Sequence, residues 1–206
     1  MRTHTCLHLN LPLHYATPEH WAERVLQSPL ELLYDHAYLE RKAANNALEL
    51  LNRCTDLSAL PQWAVTLAHL AQDETSHLYL VLQLIARRKG VLPRTHRNPY
   101  ASELRRTVRI GQGKYELLDR LLICALIEAR SCERFWLLSE SATDKDLQRL
   151  YRSLFASEAG HYKTFLNLAE TLLEQDVVTA RWSELLTVEA EIIQTQPPQP
   201  TLHSGA

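Results

Sequence analysis

Two stretches of the chain repeat one chemical pattern: a lone glutamate followed, one helix later, by Glu-x-x-His. The first is Glu40 with Glu74-Thr-Ser-His77, and the second is Glu128 with Glu158-Ala-Gly-His161. Each of the six sits in line with apolar residues at helical spacing, while the opposite faces carry the charges. Four ionised carboxylates in a dry core would cost several kcal/mol each in lost hydration and mutual repulsion. Two divalent cations would bring such a group to neutrality, and four glutamates with two histidines from four helices are the donor set of a dimetal centre. Carboxylate oxygens with one imidazole per ion suit iron or manganese, whereas zinc favours more nitrogen and sulfur donors. Six side chains over two ions leave room for water and dioxygen, so the chemistry expected is oxygen chemistry. Glu-x-x-His by itself is weak evidence, because a solvated pair on a helix surface has the same spacing. Position on the apolar faces separates the two readings.

The elements that must bring these residues together are legible as long helices. Ser28-Pro29 opens the first, with Ser at the cap and Pro at the first turn, and it is expected to run to about Arg53. The second spans about 58–89 and stops at Gly90, the third about 114–141, and the fourth starts at a Thr143 or Asp144 cap and reaches about 174. Short turns join the first to the second and the third to the fourth. A long connection with Pro93, Pro99, Gly111 and Gly113 joins the two pairs, with room for a short helix around 100–109. The expected fold is all-α: a ferritin-like four-helix bundle with a long crossover between helices two and three, plus additional short helices. One of these lies near 18–26, below an N-terminal strap, and a fifth helix near 179–194 packs outside the bundle. The chain reads as one domain over 1–194, followed by a Pro-rich tail, 195–206, expected to be disordered.

Secondary positions follow from the same geometry. Asp73 precedes Glu74 and Ser157 precedes Glu158. The pseudo-twofold places Asp73 to accept the free N–H of His161, and Ser157 likewise near His77. Small residues beside the lone glutamates (Ala43, Ala44, Ala47, Ser131 and Cys132) leave space for oxygen or substrate or serve close helix packing. Glu133 falls about 140° around the helix from Glu128, toward Arg130 or solvent. His36 and His69, near core stripes without a matching carboxylate, read as structural, and Tyr34, Tyr38 and Tyr162 as packing residues.

Composition fits an ordinary globular protein: 206 residues, 46% hydrophobic, 22% charged and only five glycines. Cys6, Cys54, Cys124 and Cys132 form no CxxC pair and read as reduced thiols of a cytoplasmic protein. Neither a signal peptide nor a membrane-spanning run is evident. The net charge of −2 hides an asymmetry. Residues 87–120 carry Arg87, Arg88, Lys89, Arg94, Arg97, Arg105, Arg106, Arg109, Lys114 and Arg120 against Glu103, Glu116 and Asp119, a local excess of seven positive charges. A single basic lobe on an acidic protein suits a polyanionic partner, or is a solvated connector.

Four strings are more specific than the ligand pattern: Asp35-His-Ala-Tyr-Leu-Glu-Arg-Lys-Ala-Ala44, Asp73-Glu-x-x-His77, Leu126-Ile-Glu-Ala-Arg-Ser-Cys-Glu-Arg-Phe135 and Ser157-Glu-Ala-Gly-His-Tyr162. With them, about residues 15–195 resemble the bacterial tRNA hydroxylases of 2-methylthio-isopentenyladenosine. The resemblance implies a nonheme di-iron monooxygenase acting on the isopentenyl group of a hypermodified adenosine beside the anticodon. It implies two Fe ions, O2 as co-substrate and an external electron donor, an electron-transfer protein or reductase. Glu40, Glu74 and His77 would hold one half of the cluster, and Glu128, Glu158 and His161 the other, with bridging glutamates unassigned. The tRNA anticodon stem-loop is then the polyanion, gripped by Arg87, Arg88, Lys89, Arg94, Arg97, Arg105, Arg106 and Arg109. A ferritin-like oxidase, peroxidase or catalase would share the six ligands without needing the basic lobe. A non-enzymatic helical RNA-binding protein would need the lobe and not the carboxylates.

Overall fold

The computed structural model describes residues 10–53 and 61–206. Its described residues form seven helices: α1 (His20–Val25), α2 (Pro29–Arg53), α3 (Pro61–Arg87), α4 (Pro99–Arg105), α5 (Lys114–Ser141), α6 (Lys145–Glu170) and α7 (Gln175–Thr195). Helix α2 packs on α3 and α5 on α6. Leu33 at the start of α2 shares one core cluster with Leu84 at the end of α3, and Leu138 with Leu147 in the same way. Leu50 meets Trp63, and Leu118 meets Leu168, in a second cluster. Both pairs are therefore antiparallel hairpins, and the bundle has an apolar plug at each end. The four glutamates and two histidines lie in the layer between the plugs, all at most 8% exposed.

Local chemistry fixes the helix ends. Asp144 caps α6, accepting from the backbone N–H groups of Asp146 (2.8 Å) and Leu147 (3.3 Å). Asn98 caps α4 through the Ala101 N–H (3.1 Å). At the end of α3 it is Lys89, not glycine, that takes the left-handed conformation, at φ 56°. Gly90 follows with its N–H on the Ile85 carbonyl (3.0 Å), the longer closing bond of a Schellman turn. Gly90 is needed for closeness: a Cβ there would lie 2.7 Å from Leu30 Cδ1. The expected helix start at Ser58, and Cys6 and Cys54, lie outside the described residues.

The crossover is pinned rather than loose. Tyr100 and Leu104 of α4 are fully buried, and Arg109 makes a two-pronged contact with Asp119 of α5 (2.9 and 2.6 Å). Arg181 of α7 meets the same carboxylate at 2.9 Å. Helix α7 joins the bundle through a buried ionic network. Arg130 donates to both oxygens of Glu189 (2.8 and 2.9 Å) and to Glu133 (2.5 Å), and Glu133 accepts from the backbone and hydroxyl of Thr17. Thus Glu133 turns to Arg130, and the strap before α1 is tied to α5.

The tail departs from expectation. Residues 196–205 are ordered against the bundle, with Leu202, His203 and Ser204 at most 4% exposed. The Leu202 N–H donates to Asp35 (2.7 Å), Arg134 donates to the carbonyls of Leu202 (2.5 Å) and Ser204 (2.8 Å), and Trp21 Nε1 donates to Ser204 Oγ (3.0 Å). Polar, Pro-rich composition argued for disorder. The compensation lies in long-range partners: a buried arginine, a buried aspartate and an indole that need the tail as much as it needs them.

Candidate metal centre

Six buried side chains converge where the two hairpins face each other. Their potential ligand atoms fall into two groups, each within 4.8 Å: Glu40, Glu74, His77 and Glu158; and Glu74, Glu128, Glu158 and His161. Glu74 and Glu158 belong to both groups, whereas Glu40 goes only with His77 and Glu128 only with His161. The simple division by sequence repeat is therefore crossed, because each Glu-x-x-His glutamate reaches over to the other hairpin. His77 Nδ1 lies 3.1 Å from Glu158, and His161 Nδ1 lies 2.8 Å from Glu74.

This cluster fits a pair of cations. Glu74 Oε1, Glu158 Oε1 and His77 Nδ1 are buried and lie close to facing ligand atoms, yet none makes a well-directed hydrogen bond, an arrangement a protein interior rarely leaves unmet. The electrostatics shows the same strain. Burial and the neighbouring Glu158 carboxylate raise Glu74 to about 8. Burial, Glu158 and Glu74 push Glu128 well above the ordinary range. Burial opposes charge on the two histidines, but the facing carboxylates override it and raise His77 to about 12 and His161 to about 11. Without cations, protons on the raised groups offset part of the carboxylate charge, and each ion that binds must displace them.

The partners around the cluster are partly as expected. Asp73 Oδ2 accepts from His161 Nε2 at 3.3 Å, which leaves Nδ1 facing the carboxylates. Ser157 makes no hydrogen bond to His77 and lies beside His161 in a trough between α3 and α6. His36, read as structural, is fully buried and donates from Nε2 to Glu40 Oε1 at 2.5 Å. Burial raises the Glu40 carboxyl, but the hydrogen bond and charge of His36, together with hydrogen bonding from His77 and Glu74, outweigh it and hold the group below the usual carboxylate range. The i,i+4 spacing of His36 and Glu40 was the available signal. His69 is mostly exposed, 3.1 Å from Asp73.

Two openings reach this layer. Between α2 and α5, roofed by α4 and the tail, lies a chamber of about 70 Å³ whose walls include Glu40, Ala43, Glu128, Ser131, Phe135 and His203. Of the small residues singled out in the sequence, Ala43 and Ser131 line it; Ala44, Ala47 and Cys132 are buried outside it, in helix packing. Beyond Arg105 and Asn46, which border both spaces, lies a cleft of about 220 Å³ with Arg53, Arg120, Leu50 and Ile123 in its walls. The second opening is the α3–α6 trough, about 420 Å³, where Asp73 and His161 meet the surface.

Cys124 and Cys132 are free and buried, and burial pushes both thiols up to about 12. Of the eight basic residues nominated for RNA, Arg88 is paired with Asp144 (2.5 Å) and Arg109 with Asp119. Arg87, Lys89, Arg94, Arg97, Arg105 and Arg106 are exposed, and Arg105 borders the chamber mouth. No helix among the described residues is long and apolar enough to cross a membrane.

A family model described as tRNA-(MS[2]IO[6]A)-hydroxylase (MiaE) matches residues 5–204. A Pseudomonas putida protein named tRNA 2-(methylsulfanyl)-N(6)-isopentenyladenosine(37) hydroxylase is 39% identical over 92% of this chain and 90% of its own length. A Salmonella typhimurium protein of the same name is 31% identical over 94% of this chain and 87% of its own. Among solved structures, a Synechococcus protein described as having aldehyde deformylating oxygenase activity superposes with a TM-score of 0.86. It is 33% identical, covering 94% of this chain and 96% of that one.

Proposed function

The chain belongs to the tRNA-(MS[2]IO[6]A)-hydroxylase (MiaE) family, and from that membership we propose that it hydroxylates the isopentenyl side chain of 2-methylthio-isopentenyladenosine in tRNA, next to the anticodon, with O2 and two iron ions. The observation that carries the reading is the pair of overlapping ligand groups sharing Glu74 and Glu158, built for two ions side by side. When bound, the irons supply the reduction of dioxygen that an allylic C–H oxidation requires. The balance is one O2, two electrons and two protons: one oxygen atom enters the substrate as hydroxyl and the other leaves as water. The electrons come from an external electron-transfer protein or reductase.

The chain's own residues do the rest. Glu40 and His77 would hold one ion and Glu128 and His161 the other, with Glu74 and Glu158 available to both. His36 fixes the Glu40 carboxylate, and Asp73 fixes the His161 ring, so that the ligands are oriented before metal arrives. The apolar part of the chamber wall, with Leu39, Ala43, Ile127 and Phe135, limits water beside Glu40 and Glu128. The modified base must leave its stack to reach them. Arg105 at the mouth, with the exposed Arg97 and Arg106 nearby in sequence, meets the phosphates of an anticodon stem-loop. The open trough leaves the His161 side of the cluster to the electron donor.

An aldehyde oxygenase, the activity named for the Synechococcus relative, would use the same ligand set. The cationic mouth favours an RNA substrate over a free aldehyde. Nucleoside analysis of tRNA from cells with and without the gene decides: the hydroxylated nucleoside should disappear in the deletion and return on complementation. An unchanged nucleoside profile would remove the proposal.

A further inference from the structure

We propose that the C-terminal tail is a wall of the substrate chamber, and that the Leu202 and His203 side chains set which prenyl group fits against the carboxylates. The proposal rests on the tRNA-hydroxylase reading and adds to it a selectivity device that none of the metal-binding motifs contains.

The tail divides its labour by atom type. Its anchors are the Leu202 N–H on Asp35, the Leu202 and Ser204 carbonyls on Arg134, and the Ser204 hydroxyl on Trp21. A further backbone bond, from the Gly205 N–H to the Pro197 carbonyl (3.1 Å), closes the tail into a loop. A Cβ at Gly205 would lie 1.8 Å from the Gln196 carbonyl oxygen, so the loop closes only with glycine there. None of these anchors uses the side chain of Leu202 or His203. Both residues also line the chamber that Glu40, Glu128 and Glu158 line, and Leu202 joins it to the apolar cluster at that end of the bundle.

The His203 ring is held from three sides. It packs on Tyr100 at 4.7 Å between centroids, Asn98 Nδ2 donates to its Nδ1 (3.1 Å), and its Nε2 donates to Ser131 Oγ (3.1 Å). Ser131 lies three residues beyond Glu128, on the same chamber wall. The ring is thereby fixed as a flat partition between α4 and α5. Leu202 supplies the apolar surface beside it, with Phe135 and Ile127 completing the wall. At about 70 Å³ the chamber lies far below the roughly 300–1,000 Å³ of a site for a whole small molecule. It suits a short branched hydrocarbon alone, with the purine left outside. One methylene more or less in such a pocket is worth about 10- to 200-fold in discrimination.

The test uses the metal-free protein first, so that chemistry does not enter. Affinity is measured for one anticodon stem-loop carrying, in the 2-methylthio form throughout, adenosine, isopentenyladenosine or the ten-carbon geranyl analogue at the modified position. Leu202→Phe should lower the preference for isopentenyladenosine over adenosine at least tenfold. Leu202→Ala should raise the relative affinity for the geranyl analogue at least tenfold. In the iron-loaded enzyme the same two variants should shift the ratio of kcat/KM between the two prenylated substrates in the same directions, with unchanged iron content and helicity. If the wild type shows no preference for the prenylated loop, the tRNA-hydroxylase reading itself fails. If it shows that preference and both variants keep it within twofold, the tail is only a staple and the inference is overturned.

Discussion

At the scale of single residues, the cluster is a set of buried carboxylates whose charge must be offset, by protons in the metal-free protein or by cations that displace them. Glu74 and Glu158 are the pivots, since each lies in both ligand groups. Replacing either by Ala removes one ligand from both ions, so hydroxylation should vanish and iron content should fall below two per chain. Replacing Glu40 should damage only one ion's ligand group. His36 is the least obvious participant. Its bond to Glu40 orients a ligand, so His36→Ala should weaken iron binding about 10- to 100-fold while leaving the helices intact, as measured by iron titration and circular dichroism. The sequence reached all six side chains of the cluster because an apolar stripe interrupted by glutamate and histidine is energetically anomalous on its own. It could not reach the sharing of Glu74 and Glu158 between the two groups, which depends on how the two hairpins face each other. Nor did it reach the role of His36, whose carboxylate partner was already counted as a metal ligand.

At the scale of elements, the long helices and the crossover with its short helix were legible, and the docking of the tail was not. Helices α2, α3, α5 and α6 carry enough periodic apolar residues to declare themselves, and capping residues fixed several of their ends, Asp144 among them. The tail is the opposite case. Nothing within 195–206 signals order, because its partners Asp35, Arg134 and Trp21 lie on three other elements. Its docking has an acid-sensitive part. Burial and the neighbouring Arg134 hold His203 well below its ordinary value of 6.5. A histidine depressed in the folded state contributes stability above its unfolded pKa and loses it as pH falls. Tail docking should therefore weaken progressively below about pH 6.5, seen as faster hydrogen exchange at residues 202–205, and His203→Gln should blunt that dependence. Asp119, which ties the crossover to α7, titrates lower. Burial raises its carboxyl, but Arg109 and Arg181 outweigh it and depress the pKa below 3.8. Its contribution is present above about pH 4 and is lost only as pH falls through the depressed value.

At the scale of the whole molecule, the two seams between the hairpins differ in kind. The α2–α5 seam is roofed by the crossover and the tail and opens beside Arg105, whereas the α3–α6 seam is an open trough. Two openings of different shape therefore lead to one cluster. The basic excess of residues 87–120 belongs to the crossover, the segment that also supplies the roof. Two of the eight cations, Arg88 and Arg109, sit in internal ion pairs, and the other six are exposed. Arg105→Glu with Arg106→Glu should weaken binding of an anticodon stem-loop, and the plot of log affinity against log salt should become shallower by about one for each phosphate no longer neutralised. Unchanged affinity and slope would assign the RNA to another face.

The most direct measurement is an anaerobic titration of the metal-free protein with ferrous iron. A break at two ions per chain is predicted, falling below two in Glu158→Ala. A break at one ion or none, or a stoichiometry of two that survives Glu158→Ala with unchanged affinity, would contradict a centre bridged between the hairpins.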